Sequence, residues 1–145
     1  MIKINIDKEL LEKIVRQVLE EQKCCSKVLS FNPEEFRFSE INRLDTKNPN
    51  DKVYTLDLMS LEQSHNLGFG LMEITDSTFP WTLSYDEIDI VLEGELKIIC
   101  NGVCKIAKQG EAIYIPKGSE IQFSADNYAK FYYVTYPADW QNTTP

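Results

Sequence analysis

The sequence predicts an all-β fold, a jelly-roll β-barrel preceded by one amphipathic helix. Three observations predict it. From about residue 53 onward, short runs rich in Val, Ile, Tyr and Phe alternate with turn signals and no helical pattern intervenes. A 3.6-residue apolar period occurs once, over residues 7–22. Over Glu87–Ile90 acidic and apolar residues alternate strictly, and Val91 continues the acidic face, the period of a strand with two different faces.

The helix over 7–22 carries Leu10, Leu11, Ile14, Val15, Val18 and Leu19 on one stripe. Asp7 is a suitable N-cap and Glu9 suits the positive first turn. Sixteen or so residues make a marginal helix alone, so the stripe must find a partner. Residues 23–35 form a linker, the barrel spans 36–140, and 141–145 are a tail. Strands are expected at 53–58, 67–75, 81–84, 88–92, 95–100, 103–107, 112–115, 121–124 and 130–136. Between them stand turn signals such as Glu93-Gly94, Asn101-Gly102 and Lys117-Gly118. Gly94 and Gly118 are expected to make tight turns at the barrel ends.

A chain of 145 residues suits one domain with one sizeable core. Its formal net charge of -8 disfavours nucleic acid as a partner, because duplex binding needs clustered cations. No apolar run approaches 18 residues, so no membrane-spanning helix is expected, and the N-terminus lacks the layout of a secretory signal. Cys100 and Cys104 flank an expected two-residue hairpin at Asn101-Gly102, which puts their sulfurs on opposite faces of the ribbon. Reduced structural thiols are expected there, and Cys24-Cys25 falls in the linker.

Two spacings carry more. Glu87 is followed by six residues and Gly94. Gly110 is followed by five residues, then Pro116 and Gly118. These resemble the two halves of the cupin signature, G-x5-H-x-H-x3-E-x6-G and G-x5-P-x-G-x2-H-x3-N. Laid on this chain, the pattern puts Trp81, Leu83 and Ile121 where three histidines would stand. The resemblance implies a cupin (RmlC-like) barrel whose imidazole cage is gone, and neither zinc nor iron is expected.

In a cupin the Glu of the first motif points inward. That would bring Glu87 and Asp89 inside together, where two carboxylates are costly unless protonated, hydrogen-bonded or matched by a cation. Such a pair is a candidate acid/base or hard-cation site. The structural alternative is that Asp89 lies at a solvated barrel mouth and Glu87 bonds the backbone. Glu73 is a third candidate acid. Glu120 precedes the Ile121 slot and points the other way. Tyr114 and Tyr85 are candidate polar contacts, Tyr114 being equally suited to core packing. His65, the single histidine, lies in a turn-like segment away from these groups. No Gly-x4-Gly-Lys-Ser/Thr loop and no Gly-x-Gly-x2-Gly run is present, and one peripheral histidine cannot support a Ser-His-Asp set.

The stretches FPWTLSYDEIDIVLEGELKI and GEAIYIPKGSEIQF resemble the EutQ family of ethanolamine-utilisation cupins, over roughly residues 36 to 140. The resemblance implies a bacterial cytoplasmic protein associated with a microcompartment. Residues 7–22 would then recruit it to shell or cargo proteins. It implies acetate kinase-like activity, interconverting acetate plus ATP with acetyl phosphate plus ADP. An acidic pocket would need Mg²⁺ to approach nucleotide, with Glu87, Asp89 and Glu73 at the metal–nucleotide complex and Tyr114 and Tyr85 as further contacts. The phosphate-binding cation is not singled out among Lys97, Lys105, Lys108, Lys117 and Lys130. Cupins commonly dimerise through their sheets, which implies a homodimer through the face of Ile88, Ile90 and Leu92. A non-catalytic adaptor, or a barrel that only binds a small metabolite, is the alternative.

Overall fold

The computed structural model describes residues 7–25 and 28–142. The expected thiol state of Cys24 and Cys25 lies outside what is described, as do residues 1–6, 26–27 and 143–145 of the expected segments. The chain divides into two compact units, Met1–Asn32 and Pro33–Pro145.

The first unit is helix α1, Lys8–Cys25, which runs three residues past the expected end. The Asp7 side chain caps it by accepting from the Glu9 amide at 3.0 Å. Leu10, Leu11, Ile14, Val15, Val18 and Leu19 are all about half exposed along its apolar stripe.

The second unit is an antiparallel barrel of six strands: β1 (Lys52–Asp57), β2 (Gly68–Thr82), β3 (Asp86–Cys100), β4 (Val103–Lys108), β5 (Ala112–Ile115) and β6 (Glu120–Tyr136). The sheet order is β1-β2-β6-β3-β4, with β5 also paired to β3. The expected nine short strands are joined into fewer, longer ones. Segments 67–75 and 81–84 are both β2, 88–92 and 95–100 are both β3, and 121–124 and 130–136 are both β6. Bulges make this continuity workable, since a bulge bends a strand without ending its pairing. The β2–β6 register shifts between Thr75 and Ser77, and the β3–β6 register shifts between Val91 and Glu93 and between Gly94 and Lys97.

Glu93-Gly94 is therefore a bend inside β3 and not a turn at a barrel end. Gly94 has φ +77, and a Cβ there would come within 2.1 Å of the Tyr128 carbonyl oxygen. Glycine is required for both reasons. The hairpin at Asn101-Gly102 forms as its residues dictate, with φ of 50 and 78, Cys100 opposite Val103 and Ile99 opposite Cys104. Cys100 and Cys104 are free thiols.

The core is aromatic and aliphatic. Phe79, Phe123 and Phe131 are fully buried, with ring centroids 5.4 Å apart for Phe79–Phe123 and 6.3 Å for Phe123–Phe131. Leu83 and Ile121 join this core, so two of the three histidine slots have become packing positions. Among the described residues, no helix is long and apolar enough to cross a membrane.

Candidate functional site

The alternation over Glu87–Leu92 decides what enters the barrel. Glu87, Asp89 and Val91 are 4%, 0% and 1% exposed, whereas Ile88 and Ile90 stand on the outer wall at 43% and 37%. Each inward residue meets a defined row of partners. Asp89 pairs with Tyr133 on β6, Tyr133 with Gly70 on β2, and Gly70 with Asp57 on β1. One register below, Glu87 pairs with Thr135, and Thr135 with Gly68.

The two glycines explain how such a polar layer fits. A Cβ on Gly70 would lie 2.1 Å from the Tyr133 ring, and one on Gly68 would lie 2.2 Å from Thr135 Oγ1. The bare backbone of β2 thus lets the Tyr133 ring lie across it, and its hydroxyl donates to Asp57 Oδ1 at 2.6 Å. Burial raises the Tyr133 phenol far above the usual tyrosine range, and the Asp57 hydrogen bond and charge add to it. Tyr133 stays neutral and can only share its proton.

Tyr85 comes from the turn before β3. It is buried, accepts a hydrogen bond from Trp81 Nε1 at 2.9 Å, and packs against the Trp140 ring at 4.5 Å between centroids. Burial raises its phenol well above the ordinary range, with the Glu87 charge as the second cause. Trp81 therefore occupies a histidine slot with a donor turned toward Tyr85.

Glu87 Oε1 and both oxygens of Asp89 are buried without a donor. Two ionised carboxylates cannot serve each other, but one retained proton lets Asp89 donate to Glu87. The electrostatics agree. Burial pushes Asp89 well above the usual carboxylate range, and the Glu87 charge and the hydrogen bond to Glu87 push the same way. Glu87 is raised by burial and held down in part by hydrogen bonds from Asp89 and Tyr85. Asp89 keeps the proton and Glu87 is the member that ionises.

Glu87 and its neighbours wall a cavity of about 670 Å³. Its floor is Phe79, Trp81, Tyr85, Glu87, Phe123 and Tyr133, and Asp89 lies behind Glu87, off the wall itself. The mouth is formed by Leu58, Met59, Ser60, Leu61, Gln63 and Ser64 of the loop after β1 and by the segment after β6 that carries Asp139 and Trp140. None of Lys97, Lys105, Lys108, Lys117 and Lys130 lines it. Lys97 is instead paired with Asp126.

Two candidates lie elsewhere. Tyr114 is 61% exposed on the outer wall and donates to Asp86 Oδ1 at 3.2 Å. It pairs with outward Ile88, which fixes its direction. Glu73 also has outward parity, between Tyr54 and Lys130, and accepts from the Tyr128 hydroxyl at 2.8 Å. Neither reaches the cavity. Glu120 and His65 are exposed. Asp57, Tyr133 and Thr135 join the site without having been singled out from sequence. The pair of glycines two apart, Gly68 and Gly70, was the signal that bulky residues cross β2 there.

Among the described residues no group of three or more His, Cys, Asp or Glu gathers to hold a metal. The unpartnered Glu87 oxygen is one hard-oxygen donor of the kind Mg²⁺ accepts when waters and substrate phosphates complete its shell.

A bent antiparallel barrel with an internal polar cavity, and with Trp81, Leu83 and Ile121 in the imidazole positions, is a cupin without the histidine cage. A cupin superfamily protein of Desulfitobacterium hafniense shares the fold, with a TM-score of 0.53 and 15% identity over 59% of this chain and 78% of that one. The family described as ethanolamine utilisation protein EutQ matches residues 6–142, and the chain belongs to that family. It is 51% identical to the protein named acetate kinase EutQ of Clostridioides difficile, over 94% of this chain and 95% of that one. The solved structure of the Clostridium difficile EutQ protein superposes with a TM-score of 0.78 and 55% identity, covering 80% of this chain and 92% of that one.

Proposed function

We propose that this EutQ family member carries out a Mg²⁺-dependent phosphoryl transfer between ATP and acetate, with Glu87 at its centre. The observation that carries the reading is the Glu87 carboxylate, buried against the cavity with an oxygen that has no donor. The name borne by the Clostridioides difficile relative supports the reaction class.

Phosphoryl transfer needs positive charge at the transferring group. Among the described residues no Lys, Arg or His lines the cavity, so the charge has to arrive with the nucleotide. Glu87, backed by Asp89, would hold Mg²⁺, which supplies neutralisation of phosphate charge when bound. The protein's own residues do the rest. Trp81 and Trp140 fix the Tyr85 ring beside Glu87, the aromatic floor excludes water, and Asp57 orients the Tyr133 hydroxyl. Asp89 acts as the proton reservoir that lets Glu87 ionise. Acetyl phosphate formation by the purified protein is expected to cease in excess chelator and to return on adding Mg²⁺. Full activity in chelator would refute the metal requirement.

A second reading, an adaptor between shell and cargo, is favoured by α1, whose apolar stripe is exposed within its own unit. The two readings are compatible. In both, residues 7–22 dock the protein on a microcompartment in the bacterial cytoplasm. Loss of co-localisation of a fluorescent fusion lacking residues 1–22 is expected, and unchanged co-localisation would refute it. The outer face at Ile88 and Ile90 suits a homodimer, which light scattering on wild type and Ile88→Asp would test. A monomer in both would refute it.

A further inference from the structure

The charge of the cavity wall has a consequence beyond phosphoryl transfer. Its charged wall residues are Asp57 from β1, Glu87 from β3 and Asp139 from the segment after β6, all acidic. No Lys, Arg or His lines it among the described residues. Such a wall repels a free anion and attracts a cation. Its size is that of a small-molecule site.

Two details narrow the cation. Glu87 Oε1, on a side chain only 4% exposed, lacks a donor, and so do both oxygens of Asp89 behind it. An N–H donor in the cavity satisfies Glu87 Oε1, whereas a quaternary ammonium has none to give. Trp81, Tyr85 and Phe123 place aromatic rings on the same wall, and desolvated ammonium groups gain from ring faces. At the mouth, Ser60, Gln63 and Ser64 offer hydrogen-bonding groups to a short polar tail.

We propose that this cavity binds a small primary ammonium compound with a short polar tail, its ammonium group at Glu87. The site needs neither nucleotide nor metal, so it goes beyond the phosphotransferase reading. Because ammonium and Mg²⁺ would claim the same carboxylate, the amine would act there as a competitor of the metal.

Calorimetry on the full chain without Mg²⁺ or nucleotide tests this. The probes are ethanolamine, the neutral isostere ethylene glycol, and choline as the quaternary counterpart. Ethanolamine is expected to bind at least about tenfold more tightly than either, the scale of a charge-assisted hydrogen bond. Glu87→Gln is expected to weaken it by a similar factor. Equal binding of ethylene glycol or choline, undiminished binding by a folded Glu87→Gln, or no heat with millimolar ethanolamine would overturn the proposal. The ligand comparison on wild type decides the matter even where the variant does not fold. The two proposals fail separately. Turnover without amine binding retires this one alone, and amine binding without turnover retires only the phosphotransferase.

Discussion

Asp89→Asn tests whether the buried acids hold one proton between them. Asp89 is fully buried, its oxygens lack donors, and Glu87 is its neighbour on the same face. An amide of the same shape mimics the protonated acid and can still donate to Glu87. The pH dependence follows from the raised position of Asp89. Above about pH 4 the unfolded chain has released this proton while the folded chain retains it. The folded state then binds more protons, so stability falls as pH rises, until the folded-state value is passed. The slope is about 1.4 kcal/mol per pH unit for one retained proton. Wild type is therefore expected to lose that much per unit relative to Asp89→Asn within the window. Two units amount to ~3 kcal/mol, or roughly 1–3 M in urea midpoint at m-values usual for small proteins. The assay is urea unfolding of both proteins at pH steps from 5 to 8. Curves that stay parallel would refute the retained proton. A variant that loses ground as pH rises would mean that Asp89 is ionised and matched by a cation.

Three further outcomes follow from the same geometry. Gly70→Ala forces the Tyr133 ring off Asp57, and a loss of about 1–3 kcal/mol in chemical denaturation is expected, as for other overpacked sites. Gly94→Ala combines a left-handed backbone with a clash against the Tyr128 carbonyl, so a loss of more than about 1 kcal/mol is expected, where Gly→Ala at a compatible φ gains stability. Tyr133→Phe removes the donor to Asp57 and is expected to cost on the order of 1.5–3 kcal/mol, while Tyr114→Phe on the outer wall is nearly neutral. Equal effects of the two tyrosine changes would show that the polar layer is not what holds Asp57.

The legibility of the sequence varied with how unevenly each strand divides its faces. Glu87–Ile90 divides acid from aliphatic, so its inward face was readable, and Asn101-Gly102 states its own turn chemistry. In β6 the stretch Phe131–Tyr136 carries aromatic or aliphatic side chains on both faces, because the outer wall is apolar there too. Parity alone could not choose Tyr133 over Tyr132. Tyr114 and Glu73 were drawn toward the cavity by residue type, although their pairing with Ile88 and Tyr54 sends them outward. Glu93-Gly94 looks like a turn locally. It is a bend because β6 continues to pair across it, and that long-range ladder is invisible from the neighbouring residues. Asp57 was missed for a similar reason, since its partner Tyr133 lies 76 residues away.

The most direct test of Glu87 as the working centre is acetyl phosphate formation by wild type and Glu87→Gln, on preparations of matched fold and purity with Mg²⁺ present. Glu87→Gln keeps the shape and removes the charge, and a loss of turnover on the order of 10²-fold or more is expected. A well-folded Glu87→Gln protein turning over at the wild-type rate would contradict the account.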